Sequence, residues 1–437
     1  MSRYTSATET DRQEMLAAIG VESIDDLFAD VPEGVRLGRP LDIAPGKPEQ
    51  EVFARLRDLA AKNVSAEDEI SFLGAGMYDH YVPALIDSIL SRSEFLTPYT
   101  PYQPEISQGG LQVMFEYQTA ISELTGLPVS NASVYEGPSA VAAAGWLAHT
   151  HTKKTKFLVS ESLHPHSLET LATTSAGWGT TIEMLPVVNG LTQLDEVVGD
   201  DVAAIFVGQP NFHGAIEDIA ALSQFKGSAL LVVQADPLTL GVLRSPGEDG
   251  VDICVGEGQT LGNRLDFGGP SFGFFAASQA LLRRMPGRIA GETTDVDGRR
   301  GFVLTLQTRE QHIRREKATS NICTAQALNA LAGVIYLSWL GREGLVELGE
   351  LLVSRTHYAR ETLAAIDGVE LWHDQPVVRE FALKLSKNAH EVVEFCSARG
   401  VNPGFAFDDN GLLVAITEQR SKADIDRLAE VLKEALA

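Results

Sequence analysis

The stretch VDICVGEGQTLGNRLDFGG, residues 251–269, decides how this chain is read. Apart from Asp252, Val251–Val255 is apolar and rich in β-branched residues, the pattern of a strand covered on both faces. It runs into Gly256-x-Gly258-x-x-x-Gly262. Glycines after a strand can form a dinucleotide fingerprint, but only where a helix opens at them and holds the pyrophosphate at its N-terminus. Here the chain continues into NRLDFGG, a poor helix start, and the strand comes late rather than first. The nucleotide reading is therefore disfavoured, and the three glycines are expected to let the chain turn tightly.

Around this stretch, from about residue 110 to 280, short apolar runs alternate with helical ones. Strands are expected at 156–160, 181–187, 202–208, 229–235, 252–256 and 272–277, with helices at 138–150 and 216–225. Such alternation predicts a mostly parallel sheet in a three-layer α/β domain. After residue 325 a long helical region is broken near Gly341 and Gly344. The tail reads strand 379–385, helix 389–398, strand 412–416 and helix 422–436, a small α+β unit. In the last helix Ile425, Leu428, Val431, Leu432 and Leu436 share one face. At the other end, Thr10-x-x-Gln13 reads as a capping box, Ser23-x-x-Asp26 as a second helix start, and Pro48 as the opening of a helix with Val52, Phe53, Leu56 and Leu59 on one face. The expected division is a helical arm over 1–90, a large α/β domain over 91–325 and a small α+β domain over 326–437.

Composition narrows the function. Of 437 residues, 44% are hydrophobic, enough for a large core. The formal charge is −24, from 59 acidic residues against 35 Lys and Arg, which repels phosphate backbones and disfavours nucleic acid. No apolar run reaches the roughly 20 residues that span a bilayer. The first residues lack an apolar signal core, so a cytoplasmic protein is expected. Cys254, Cys323 and Cys396 fit neither a disulfide framework nor a metal pattern. His149, His151, His164 and His166 have no accompanying Cys or carboxylate cluster, so solvated or core histidines are favoured and no metal is expected. The Gly-x-Ser-x-Gly elbow of a hydrolase is missing.

A more specific constellation starts at LLVVQADPLTL (230–240), where a buried strand ends in Asp236. An acid so placed can keep the pyridine nitrogen of pyridoxal phosphate protonated, so that the ring acts as an electron sink. The same chemistry demands a lysine amine a few tens of residues later. No lysine occurs between Lys226 and Lys317, and the position that looks equivalent is Gln259, which cannot form a Schiff base. Lys226 faces away from the carboxyl ends of the strands, and Lys317 follows an Arg-rich polar segment, so neither is favoured as a substitute. Asp236 thus keeps two readings, a cofactor partner and a strand-end acid capping the next loop. Elsewhere, FLTPYTPYQPEISQGGLQVMFEYQT (95–119) presents Tyr99, Tyr102, Gln103, Glu105, Ser107 and Gln108 on a loop stiffened by Pro98, Pro101 and Pro104. It reads either as a Pro-rich connector or as a preorganised surface for a ligand or partner.

Five segments carry a resemblance along almost the whole chain: TSATETDRQEMLAAIGVESIDDLFADVP, FLGAGMYDHYVPALIDSIL, the 95–140 run containing YTPYQPEISQG, DICVGEGQTLGNRLDFGGPSFGF, and RREKATSNICTAQAL. They resemble the P-protein family of the glycine cleavage system, and within it the alpha chain of the two-chain form. The resemblance implies a fold-type I pyridoxal-phosphate transferase architecture. It implies a beta-chain partner that carries the lysine and the pyridoxal phosphate, and an αβ pair doubled into a tetramer. The assembled enzyme would decarboxylate glycine and pass the aminomethyl group to the lipoyl arm of the H-protein, releasing carbon dioxide. On that pattern Tyr99, Tyr102, Gln103, Glu105, Ser107 and Gln108 would line the partner's pocket, with Arg299, Arg300 and Arg309 as further positive charge. Ser139, His164, Asp236 and Gln259 would mark a relict pocket expected to hold no cofactor. An independent pyridoxal-phosphate enzyme using Lys317 or His164, and a non-catalytic scaffold or regulatory subunit, are the competing readings.

Overall fold

The computed structural model describes residues 6–269, 271–318, 320–323 and 325–437. Thr5, Pro270, Thr319 and Thr324, each within a motif quoted above, lie outside the described residues. Internal contacts divide the chain into residues 1–64 and 65–437.

The first unit holds α1 (Glu9–Ile19) and α2 (Glu49–Ala60). The capping box of α1 falls at Thr8 and Asp11, not at Thr10 and Gln13: the Asp11 amide donates to the Thr8 hydroxyl and the Asp11 carboxylate accepts from the Thr8 amide at 2.7 Å. A carboxylate at that position also complements the positive end of the helix, which a neutral Gln cannot. Ser23 and Asp26 do bond reciprocally around a short 3-10 turn, and Pro48 directly precedes α2. On α2 Val52, Phe53, Leu56 and Leu59 are 41–61% exposed, and none of this unit's described residues is buried.

In the second unit α3 (Ala84–Leu90) and α4 (Gln108–Thr125) lead into β1 (Val129–Ser130) and α5 (Gly137–Thr152). Next come β2 (Lys156–Ser160), α6 (Pro165–Trp178), β3 (Thr181–Leu185), β4 (Val202–Gln209), α7 (Ile219–Gln224), β5 (Leu230–Ala235), β6 (Ile253–Glu257) and β7 (Gly273–Ala277). All six strand expectations are met to within two residues. The sheet order is β1-β7-β6-β5-β4-β2-β3. Strands β2 to β6 run parallel to one another, and β7 is antiparallel to both β6 and β1. Every residue of β4 is buried, because helices cover both faces. One apolar cluster packs β5 and β6 side chains against α4 and the long helix described next, and a second packs the opposite face against α5.

The hairpin β8 (Ile289–Thr294) and β9 (Arg300–Thr305) precedes α8 (Ala327–Ala364), whose single interior break is Gly341, at φ 61°. The tail forms the antiparallel sheet β10-β11-β13-β12 from β10 (Val369–Leu371), β11 (Glu380–Leu385), β12 (Phe405–Ala406) and β13 (Gly411–Ala415). It is covered by α9 (Ala389–Ser397) and α10 (Lys422–Leu436), whose Ile425, Leu428, Val431 and Leu432 are buried. Of Gly256, Gly258 and Gly262, only Gly262 has a left-handed backbone, at φ +75°. Gly256 lies inside β6, where a Cβ would collide with the carbonyl of Ala235, and a Cβ at Gly258 would enter the ring of Phe272. Those two serve close packing, not turning.

Candidate functional site: a charged pocket at the strand ends

Open α/β sheets present their ligand crevice at the carboxyl ends of the strands. Here β4, β5 and β6 end around a cavity of about 80 Å³. His164, at the N-cap of α6, stands on one side. The loop through Gly76 and Tyr78 covers it, and Arg379 and Glu380 enter from the start of β11. The centre is an ion pair. Arg379, 2% exposed, donates through Nε to Asp236 Oδ2 at 2.6 Å, and its guanidinium lies 3.4 Å above the centre of the Tyr78 ring. Its Nη1 bonds His80 Nε2. An arginine only donates, so Nε2 accepts and the His80 proton sits on Nδ1, 2.5 Å from Glu418 Oε2. Asp236 Oδ1 accepts from the Leu238 amide at 3.2 Å, so the acid does cap the next loop while also holding a charge partner.

Two further carboxylates are buried here. Glu380 accepts from the Tyr78 hydroxyl at 2.6 Å and the Ala75 amide at 2.7 Å. Burial dominates these bonds and pushes its pKa up to about 7. Glu257, at the end of β6, accepts from the Gly137 amide at 2.9 Å, the Gln259 amide at 3.0 Å and the Ser271 hydroxyl; burial again raises its pKa. Gly137 is the first residue of α5, so Glu257 sets a carboxylate on the positive end of that helix. Ser139 takes part in the same helix start through a capping box with Glu136. Gln259 is 1% exposed and fully committed: Oε1 accepts from the Tyr78 amide at 2.9 Å, and Nε2 donates to the carbonyls of Tyr78 and Asn263 at 3.1 and 2.7 Å. His164 donates through Nε2 to Ala75 O at 2.9 Å and accepts at Nδ1 from the His166 amide, and burial lowers its pKa.

His164 and Asp236 line this pocket, whereas Ser139 and Gln259 are outside its lining: Ser139 belongs to the α5 start whose Gly137 amide bonds Glu257, and Gln259 to the clamp on the Tyr78 backbone. The 97–110 loop does not reach the pocket. That loop walls a separate groove of about 480 Å³, with Pro98, Tyr99, Pro101, Ile106 and Ser107. Tyr99 is 79% exposed. Tyr102 meets His312 edge-on at 5.2 Å and lies under Arg288 at 5.8 Å. Gln103 and Glu105 are exposed, whereas Gln108 exchanges two hydrogen bonds with the backbone of Phe302 on β9 and pins the loop's end. Arg299 and Arg300 lie exposed on the hairpin, the latter paired with Glu292 at 2.7 Å, and Arg309 is buried with its guanidinium on backbone carbonyls. Lys226 bonds Gly250 O and Asp252 at the opposite ends of the strands, and Lys317 is exposed. His149 bonds Lys154 O, and among the described residues no three His, Cys, Asp or Glu cluster as metal ligands. Tyr78, His80, Glu257, Arg379 and Glu380 were missed by sequence reasoning. The available signal was charge inside apolar strands: Arg379-Glu380 opening FALKL, and Glu257 two residues before Gln259.

The glycine cleavage system P-protein family model matches residues 2–432. The chain belongs to that family. Among curated relatives, the probable glycine dehydrogenase (decarboxylating) subunit 1 of Listeria innocua is 46% identical over 442 residues, covering 99% of this chain and 98% of the relative. That of Geobacillus kaustophilus is 47% identical over 443 residues, with 99% of each covered. A crystal structure of a glycine decarboxylase (P-protein) of the glycine cleavage system, in inhibitor-bound form, superposes with a TM-score of 0.92 at 44% identity over all of both chains. Lactobacillus brevis glutamate decarboxylase shares the fold, with a TM-score of 0.69 at 12% identity over 94% of this chain and 97% of the other. The fold is fold-type I.

The pocket of this P-protein family chain does not fit the pyridoxal phosphate of that fold. The carboxylate that would face the ring nitrogen is neutralised by Arg379. The helix start that would take an anion already carries Glu257. The position looked to for an amine is an amide with no free hydrogen-bonding atom. A cavity of about 80 Å³ is also far below the roughly 300 Å³ at which cofactor-sized pockets begin.

Proposed function

We propose that this chain is the alpha-type subunit of a two-chain glycine decarboxylase and acts only with a second, lysine-bearing chain. The observation that carries the reading is Gln259, a buried and fully engaged amide in a full-length P-protein family chain. The subunit 1 names of the relatives agree with it. Residues 1–64 support a partner in another way, since α2 presents an apolar row and the unit has no buried residue. Exposed apolar rows of this kind mark protein–protein contacts.

In this reading pyridoxal phosphate sits on the partner and supplies the electron sink for decarboxylation. The aminomethyl group passes to the lipoyl arm of the H-protein, and carbon dioxide is released. This chain would contribute the 97–110 loop to the partner's pocket. Exposed Tyr99, Tyr102, Gln103 and Glu105 would orient glycine or receive the lipoyl arm, and Ser107 and Gln108 would hold the loop's base. The setting is cytoplasmic, in keeping with a chain in which no described helix is long and apolar enough to cross a membrane. A helical arm over 1–90, a large domain over 91–325 and a small domain over 326–437 remain the proposed division of the chain.

The test is reconstitution. The purified chain with pyridoxal phosphate should show no visible absorbance of a lysine-bound cofactor and no glycine–bicarbonate exchange, and both should appear when the second chain is added. A yellow chain that is active alone would overturn the proposal.

A further inference from the structure

We propose that residues 74–81 form a strap that closes the strand-end pocket, with the Glu380 carboxyl as its latch. Residues 72–83 contain neither helix nor strand, so side chains of other elements hold the strap down. Glu380 accepts from its Ala75 amide at 2.7 Å and its Tyr78 hydroxyl at 2.6 Å. His164 donates to Ala75 O, Gln259 clamps the Tyr78 amide and carbonyl, and Glu418 accepts from the Tyr81 amide at 2.8 Å. Gly76 and Tyr78 are themselves walls of the cavity, so lifting the strap opens it to water.

Two features make the strap a movable cover. Ala75 has a left-handed backbone, at φ 58°, which a residue with a side chain keeps only where its surroundings impose it. The strap also buries its own latch. A Cβ at Gly74 would strike Glu380 Oε1, so strap and carboxyl pack in direct contact, and the Tyr78 hydroxyl covers Oε2.

The charges around the latch set the direction of the response. Tyr78, Arg379 and Asp236 face Glu380, and Arg379 is already paired with Asp236. Glu380 therefore has no cation to itself, and burial keeps it protonated up to about pH 7. In water the same carboxyl ionises near 4.5. The open form gains on the closed form as pH rises through that window, and the gain ends above it. His164 has its pKa lowered by burial, so it stays neutral over the upper part of the window and does not oppose the effect. His80 and Glu418 pair with each other at the far end of the strap. The inference rests on this chain's own geometry and does not depend on the subunit reading.

The experiment is hydrogen exchange of the full-length chain, read by mass spectrometry on peptides covering the strap and β4. Strap amides should exchange faster than those of β4, through a local opening. Their protection, corrected for the intrinsic pH dependence of exchange, should fall about tenfold from pH 6 to pH 8. Glu380→Gln keeps the shape without a proton to release, and should abolish that slope. Tyr78→Phe leaves the carboxyl in place and drops one of its bonds, so strap protection should fall about fivefold with the slope retained. A flat slope in the unaltered protein, an unchanged slope in Glu380→Gln, unchanged protection in Tyr78→Phe, or a strap that exchanges only as slowly as β4 would overturn the proposal.

Discussion

Replacing Arg379 by Met should destabilise the protein by about 3–5 kcal/mol, the usual cost of stripping one partner from a buried ion pair. The geometry accounts for that size. The substitution removes a charge-assisted hydrogen bond of 2.6 Å to Asp236, worth about 1.5–3 kcal/mol. It also removes the bond to His80 and the contact with the Tyr78 ring, together about 1–2 kcal/mol. Asp236, 17% exposed, is left with a carboxylate that one backbone amide cannot balance. Asp236→Asn should cost a similar amount by isolating the guanidinium. The double variant Asp236→Asn/Arg379→Met leaves no charge stranded, and should be more stable than the sum of the single losses predicts by about 2–3 kcal/mol. Urea denaturation of the four proteins, compared at midpoint and constant slope, measures this. Additive losses, or a single-variant loss under about 1 kcal/mol, would refute the view that this pair organises the pocket.

Three further outcomes follow from the same geometry. Gln259→Lys should not by itself create a visible cofactor band with pyridoxal phosphate, and should cost at least about 3 kcal/mol from three lost side-chain bonds, read by absorbance and urea midpoint. Glu380 holds its proton in the folded state up to about pH 7 but releases it near 4.5 when unfolded, so stability falls as pH rises across that window by up to about 3 kcal/mol; Glu380→Gln should flatten this slope in melts between pH 5 and pH 8 taken at about one-unit steps. His213 is the opposite case, with burial depressing its pKa to about 4, so the unfolded chain takes up the proton first as pH falls below 6.5 and stability drops on acidification; His213→Phe, which preserves stacking on Trp372, should remove about 2 kcal/mol of that loss in acid melts.

The sheet was legible in the sequence because strands buried on both faces leave near-continuous apolar runs, and KFLVS at 156–160 is a strand over those same residues. The C-terminal unit was legible through the apolar face of α10. The start of α1 was misplaced by two residues because Thr8 and Thr10 both offer a hydroxyl, and the charge of Asp11, which complements the positive helix end better than neutral Gln13, was not weighed. The pocket's chemistry was half legible. Gln259 announced a missing amine, but what stands against Asp236 lies 143 residues away, directly before β11. Periodicity carries no information about which distant strand end meets which.

The charged residues of the pocket form a set whose members depend on one another. Asp236 is tolerable at depth because Arg379 answers it, and Arg379 is held by Tyr78 and His80 as well. The backbone of that same Tyr78 is clamped by Gln259, and its hydroxyl by Glu380. Glu257 connects the clamp to α5 by accepting from the amides of both Gln259 and Gly137. A lysine at 259 would therefore free Tyr78, loosen the support of Arg379 and still find a carboxylate on the helix start where a phosphate would need to go. The barrier to cofactor binding is distributed over β5, β6, β11 and the Gly76–Tyr78 loop, so lysine is the first of several groups that would have to change together.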